Sequence, residues 1–183
     1  IKELKEEHDI ISIVQPSDIR IFQDSEYENA GAMIKEDLSD TNVIFAVKEI
    51  PVEKLIENKT YVFFSHTIKG QKYNMEMLKK MMEFNCSLID YEKITDDKGR
   101  RLVFFGRYAG IAGMIDTLWA FGKRLDYNGI KNPFSEIKKT LDYENLEQAK
   151  NHIRRIGVNI SKQGFNEAIT PVVIGFAGYG HVS

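Results

Sequence analysis

Short apolar runs alternate with helix-spaced stretches along the first hundred residues. "IKELKEEHD" reads as the last turns of an amphipathic helix, and "IISIVQ" (Ile10 to Gln15) as a strand stopped by Pro16. "SEYENAGA" predicts a short helix with Asp24 or Ser25 as its cap. "NVIFAV" (Asn42 to Val47) is a second strand, after which Pro51 opens a helical turn, "PVEKLI". "TYVFFS" (Thr60 to Ser65) is a third strand. Tyr73 to Phe84 has helical spacing, with Met77, Leu78, Met81 and Met82 facing inward. "CSLIDY" (Cys86 to Tyr91) and "RLVFFG" (Arg101 to Gly106) are the fourth and fifth strands, joined by a turn at "DDKG" where Gly99 supplies a positive φ. Strands alternating with helices predict an α/β layer fold with a largely parallel sheet.

The pattern changes at Arg107. "YAGIAGMIDTLWAFGKRL" is long, apolar and rich in small residues, and suits a helix buried between two bodies. Helical stretches follow at about Pro133 to Lys139 and Leu146 to Ile156, and "PVVIGFAG" (Pro171 to Gly178) predicts a new strand. The expected organisation is an α/β domain over 1–106, interdomain helices over 107–170, and the start of a second domain over 171–183.

Composition narrows the function classes. The 183 residues carry a net charge of −2, so no basic excess is available to neutralise the phosphates of a nucleic acid. Hydrophobic residues make up 43% and charged residues 28%, the balance of an ordinary globular chain. Cys86 is the single cysteine, which excludes an intrachain disulfide and a cysteine-based zinc site. His8, His152 and His181 have no metal-ligand partners at useful spacing, so no metal is expected. No apolar run approaches the ~18 residues of a membrane span.

Ligands of parallel α/β sheets collect at the carboxyl ends of strands. Three of the expected strands carry ionisable residues there: Lys48 and Glu49 after "NVIFAV", His66 and then Lys69 after "TYVFFS", and Glu92 after "CSLIDY". Each has a plain alternative reading. A lysine past a strand is most often solvated, a histidine often caps the next helix, and a glutamate commonly opens a turn. Their convergence on neighbouring strand ends, about 4.8 Å apart, is what raises them together as an acid–base cluster. Arg100 and Arg101 offer the planar fork that grips carboxylates, although surface charge is the simpler reading of that pair. The methionines of "MEMLKKMM", Tyr91 and Trp119 read as packing residues.

The tail "GFAGYGHVS" has the G-x-G-x-x-[G/A] form at Gly178, Gly180 and Ser183, with serine in the third slot. After a strand, such a turn presents backbone N–H groups to a dinucleotide pyrophosphate.

Taken in order, "VKEIP", "FFSHTIKGQ", "LIDYEKITDDKGRRLVFFGRYAGIAGM" and "GFAGYGHVS" resemble the saccharopine dehydrogenase and lysine–ketoglutarate reductase family, a relative of alanine dehydrogenase and the transhydrogenase N-terminal domain. The likeness runs from about Val14 to Ser183. It implies a Rossmann-like (flavodoxin-like) first domain whose first strand is missing here, and a truncated dinucleotide-binding domain at the end. It also implies roles: Lys48 and His66 as the acid–base pair, Glu49 and Glu92 as carboxylates tuning it, Lys69 and Arg101 as substrate-binding cations, and Gly178, Gly180 and Ser183 as the nucleotide loop. The implied cofactor is NAD or NADP, and the implied substrates are lysine, 2-oxoglutarate and saccharopine. The implied location is cytoplasmic, or mitochondrial in a eukaryote. An alanine-dehydrogenase-like amino-acid dehydrogenase and a non-catalytic amino-acid-binding module are the other readings.

Overall fold

The computed structural model describes residues 1–180 and 182. Contacts divide the chain into two units, Ile1–Phe104 and Phe105–Ser183. The fold is α/β with parallel sheets. Within the first unit, α1 (Lys2–His8), β1 (Ile13–Val14), α2 (Asp24–Asn29) and β2 (Met33–Ile34) precede β3 (Val43–Lys48), β4 (Thr60–Phe64), α3 (Met75–Glu83) and β5 (Ser87–Asp90). The strands form two parallel sheets, a pair β1-β2 and a triplet ordered β3-β4-β5.

β4 is the central strand of the triplet, and its burial explains its sequence. Tyr61 and Phe63 are fully buried against Ile44, Leu55, Met77 and Met81. Val62, on the other side of the pleat, is also buried. A central parallel strand therefore reads as an unbroken apolar run. β3 lies at an edge and alternates: Ile44 is buried, while Val43, Phe45 and Val47 are exposed. In α3, Met77 and Met81 enter the core as expected, whereas Met82 is 73% exposed. Met82 follows Met81 by about 100° of helical rotation, which carries it off the buried stripe.

Several sequence expectations need correction. The strand at Ile10 to Gln15 shrinks to two residues, because β2 offers only two partners. The cap of α2 is Gln23, not Asp24 or Ser25. It forms a capping box with Glu26, whose carboxylate accepts the Gln23 N–H at 2.9 Å. "RLVFFG" is no strand: one antiparallel bridge, Thr95 to Arg101, closes the hairpin. The other arm is coiled into a 3-10 turn over Tyr91–Lys93, so only the short extended piece at Ile94 and Thr95 is left to pair with. The turn itself forms, with Gly99 at φ 73 and its N–H on the Asp96 carbonyl at 2.9 Å. "PVVIGFAG" also pairs with no strand among the described residues, so it has no ladder to make it one.

In the second unit, α4 (Gly106–Tyr127) and α5 (Leu146–Gln163) are joined by 3-10 turns at Pro133–Glu136 and Thr140–Asp142. The stretch expected to be helical at Pro133 to Lys139 is thus one tight turn, since Ile137 leaves the helical region at ψ 132. α4 buries one face only, through Ile115, Gly122 and Leu125. Its core partners are Phe134, Ile137, Tyr143, Ala149 and Ile156. No helix among the described residues is long and apolar enough to cross a membrane.

Candidate active site

The site grows from the carboxyl ends of the three-stranded sheet. Phe45 of β3 pairs with Val62, but Lys48 pairs with Phe64, so β3 carries one residue more than β4 over this span. Without that extra residue Lys48 would oppose Ser65. A bulge of this kind turns the following side chains to the other side of the sheet. Lys48 consequently shares its side with Phe64, away from the Tyr61 and Phe63 core.

The chain then leaves β4 through Ser65 and bends sharply at His66, whose φ is 48. This left-handed conformation costs a non-glycine residue roughly 1–2 kcal/mol. The bend lays the imidazole on Phe64, ring centroids 6.5 Å apart and planes 17° from parallel. Phe64 is held from beyond by Tyr91 at 5.0 Å. His66 Nδ1 lies 2.9 Å from Glu49 Oε2, and both side chains are 34% exposed.

Partial burial alone would raise the Glu49 pKa. Hydrogen bonds from its own backbone N–H and from His66, with the charges of His66 and Lys48, outweigh burial and hold it below 4.5. Glu49 is thus an ionised acceptor. His66 Nδ1 must donate to it, which leaves Nε2 as the atom free to exchange a proton with a ligand.

A second ion pair stands at the end of β5. Arg101 lies 2.8 Å from Glu92 Oε1, with Glu92 11% and Arg101 47% exposed. The hairpin bridge at Thr95 and Arg101 sets this reach. Of the two glutamates expected near His66, the imidazole takes Glu49, and Glu92 takes the arginine instead. Lys69 sits in the exposed turn after His66, where its backbone N–H donates to Gln71 Oε1 at 3.1 Å. Arg100 caps the hairpin by bonding Asp96 at 2.7 Å.

Gly178 has φ +108, and a Cβ added at Gly178 or Gly180 would meet nothing within 4 Å. Neither glycine lies in a strand or helix, and α4 passes close to the segment, where a Cβ at Gly110 would run into the Val182 carbonyl. Ser183, the third position of the glycine pattern, and His181 lie outside the described residues.

Sequence reasoning missed the polar residues beneath the site, Ser65, Asn74 and Asp90. Ser65 and Asn74 are buried. The one available signal was that "FFS" and "LID" each close an apolar run on a short polar side chain.

The family described as "Alanine dehydrogenase/PNT, N-terminal domain" matches residues 1–112. Over 171 residues, 93% of this chain, the sequence is 42% identical to the mitochondrial alpha-aminoadipic semialdehyde synthase of Mus musculus. It is 41% identical over the same length to the alpha-aminoadipic semialdehyde synthase of Arabidopsis thaliana. A saccharopine dehydrogenase (NAD(+), L-lysine-forming) of Yarrowia lipolytica is 34% identical over 116 residues, 59% of this chain and 31% of that protein. An L-alanine dehydrogenase structure superposes with a TM-score of 0.49 at 16% identity, over 84% of this chain and 50% of that one. The chain spans 18% of the length of the mouse relative and 16% of the plant one. By the match of residues 1–112, the chain belongs to the alanine dehydrogenase/PNT N-terminal domain family.

Proposed function

We propose that this chain supplies the acid–base and carboxylate-binding side of an oxidoreductase that joins the ε-amine of lysine to the keto carbon of 2-oxoglutarate, or cleaves the product, saccharopine. The observation that carries the reading is the bonded Glu49–His66 pair beside Lys48, at the ends of adjacent parallel strands. The relatives named for aminoadipic semialdehyde synthesis and saccharopine dehydrogenation support it.

The chemistry suits these residues. As the amine nitrogen bonds to the carbonyl carbon, the keto oxygen must gain protons to leave as water, and the nitrogen must lose them. His66 Nε2 and the Lys48 amine are the proton carriers, and Glu49 keeps the imidazole in the tautomer that exposes Nε2. Arg101 is ion-paired with Glu92 and has further N–H groups for a substrate carboxylate, with Lys69 as a second cation. A nicotinamide nucleotide supplies the hydride when bound. Gly178, Gly180 and Ser183 are its proposed contacts. Gly178 and Gly180 lie outside any strand or helix and do not by themselves build a pyrophosphate cradle.

Titration of the ¹⁵N-labelled chain with saccharopine, 2-oxoglutarate and lysine, against alanine and pyruvate, tests the substrate class. Saccharopine or 2-oxoglutarate should shift the resonances of His66, Lys69 and Arg101. A response to alanine and pyruvate alone would move the assignment to an alanine-dehydrogenase-like reaction.

A further inference from the structure

Beneath His66 runs a hydrogen-bonded chain that the proposed chemistry does not use. Ser65 is fully buried, and its hydroxyl lies 2.5 Å from Asp90 Oδ2. A serine has one proton to give, and the carboxylate is the acceptor that takes it. The Thr67 hydroxyl, 2.7 Å away, must therefore donate to Ser65 Oγ, as does the Thr67 N–H at 3.3 Å. Ser65 Oγ thus gives one bond and receives two, so its capacity is filled. The Ser65 carbonyl accepts from the buried Asn74 amide at 2.8 Å. His66 is flanked by Ser65 and Thr67, which are bonded to each other, and such over-determined surroundings hold a left-handed residue in place.

Asp90 extends the same chain to the second ion pair. Its other oxygen, Oδ1, accepts the Glu92 N–H at 2.8 Å and starts the 3-10 turn that presents Glu92 to Arg101. One carboxylate at the end of β5 therefore fixes the backbone behind both pairs.

We propose that Ser65 and Asp90 are positioning residues. Through Thr67 and the bent backbone they aim His66 Nδ1 at Glu49, and through the Glu92 N–H they set the Glu92–Arg101 pair in register with it. Neither touches substrate; each acts through the residue it holds. The functional weight of this arrangement rests on the acid–base reading of His66, but its geometry can be tested without substrate.

The test is a ¹³C-detected titration of the Glu49 side-chain carboxyl in the chain itself, in the native sequence, Ser65→Ala and Thr67→Val, with His66 amide shifts followed alongside. Ser65→Ala changes no charge, so any movement of Glu49 comes through position and not through a lost field. The expected result is that Ser65→Ala and Thr67→Val raise the Glu49 midpoint toward its ordinary value of 4.5 as the His66 bond loosens. Should Ser65→Ala fail to fold, Thr67→Val decides, because it keeps the side-chain shape and removes the hydroxyl. An unmoved Glu49 midpoint and unmoved His66 amide in the folded variants would overturn the proposal. In the complete protein Ser65→Ala should lower kcat roughly tenfold or more, as a displaced catalytic group does, with a smaller change in KM. A raised Glu49 midpoint with unchanged kcat would leave the positioning intact and remove the catalytic reading of His66.

Discussion

Glu49 Oε2 and His66 Nδ1 meet at 2.9 Å although 17 residues separate them in sequence. Two parallel strand ends and one left-handed bend bring them there.

The pair makes stability depend on acid. The Glu49 pKa is lowered in the folded chain, so its contribution is complete above the unfolded value of 4.5 and is lost as pH falls through the folded value. Urea unfolding of the native chain and Glu49→Gln should therefore differ most near neutral pH, and the difference should shrink below about pH 4.5. A difference that grows on acidification would show that the pair does not stabilise the ionised form.

The second unit has its own pH response. Tyr143 Oη lies 2.9 Å from His152 Nδ1 and accepts the Lys138 N–H at 3.2 Å. Burial lowers the His152 pKa below 6.5, and the Arg155 and Lys138 charges add to this against an opposing pull from Glu136. The neutral imidazole is the folded form, and the Tyr143 hydroxyl donates to it. This stability is complete above 6.5 and is lost as pH falls through the lowered value. His152→Gln should flatten the thermal stability profile below about pH 6.5, where the native chain loses stability as the pH falls.

Two helical glycines should respond oppositely to alanine. A Cβ at Gly122 would stand 2.6 Å from the Phe134 carbonyl oxygen, while one at Gly157 meets nothing within 4 Å. Gly157→Ala should stabilise by up to about 1 kcal/mol, the ordinary helix preference. Gly122→Ala should instead destabilise by about 1–3 kcal/mol, the usual cost of overpacking. Chemical denaturation of both variants reads the sign directly.

The triplet β3-β4-β5 was legible in the sequence because β3 and β4 are compact runs of β-branched and aromatic residues, and β5 is a short apolar pair between polar ends. Composition could not show whether a run finds a partner. "RLVFFG" and "PVVIGFAG" have the same apolar character, yet among the described residues the first makes a single bridge and neither becomes a strand, while the two residues of β2 are too few to leave a pattern. The gathering of Lys48, Glu49 and His66 at strand ends followed from topology. The extra residue in β3 that turns Lys48 was invisible in "NVIFAVK", since the apolar run continues through it. The exchange of partners, Glu49 for His66 and Glu92 for Arg101, depends on the bend at His66 and on the short hairpin. Neither is encoded in residue type alone.

Steady-state kinetics of lysine–2-oxoglutarate condensation and saccharopine cleavage, in the complete protein carrying Lys48→Met, His66→Gln or both, tests the central claim most directly. Each single change should lower kcat by roughly 10²-fold or more, and the double change should lose less than the product of the two, because the groups act as one unit. Near-native turnover in folded Lys48→Met and His66→Gln proteins would contradict the acid–base assignment and leave a binding module in its place.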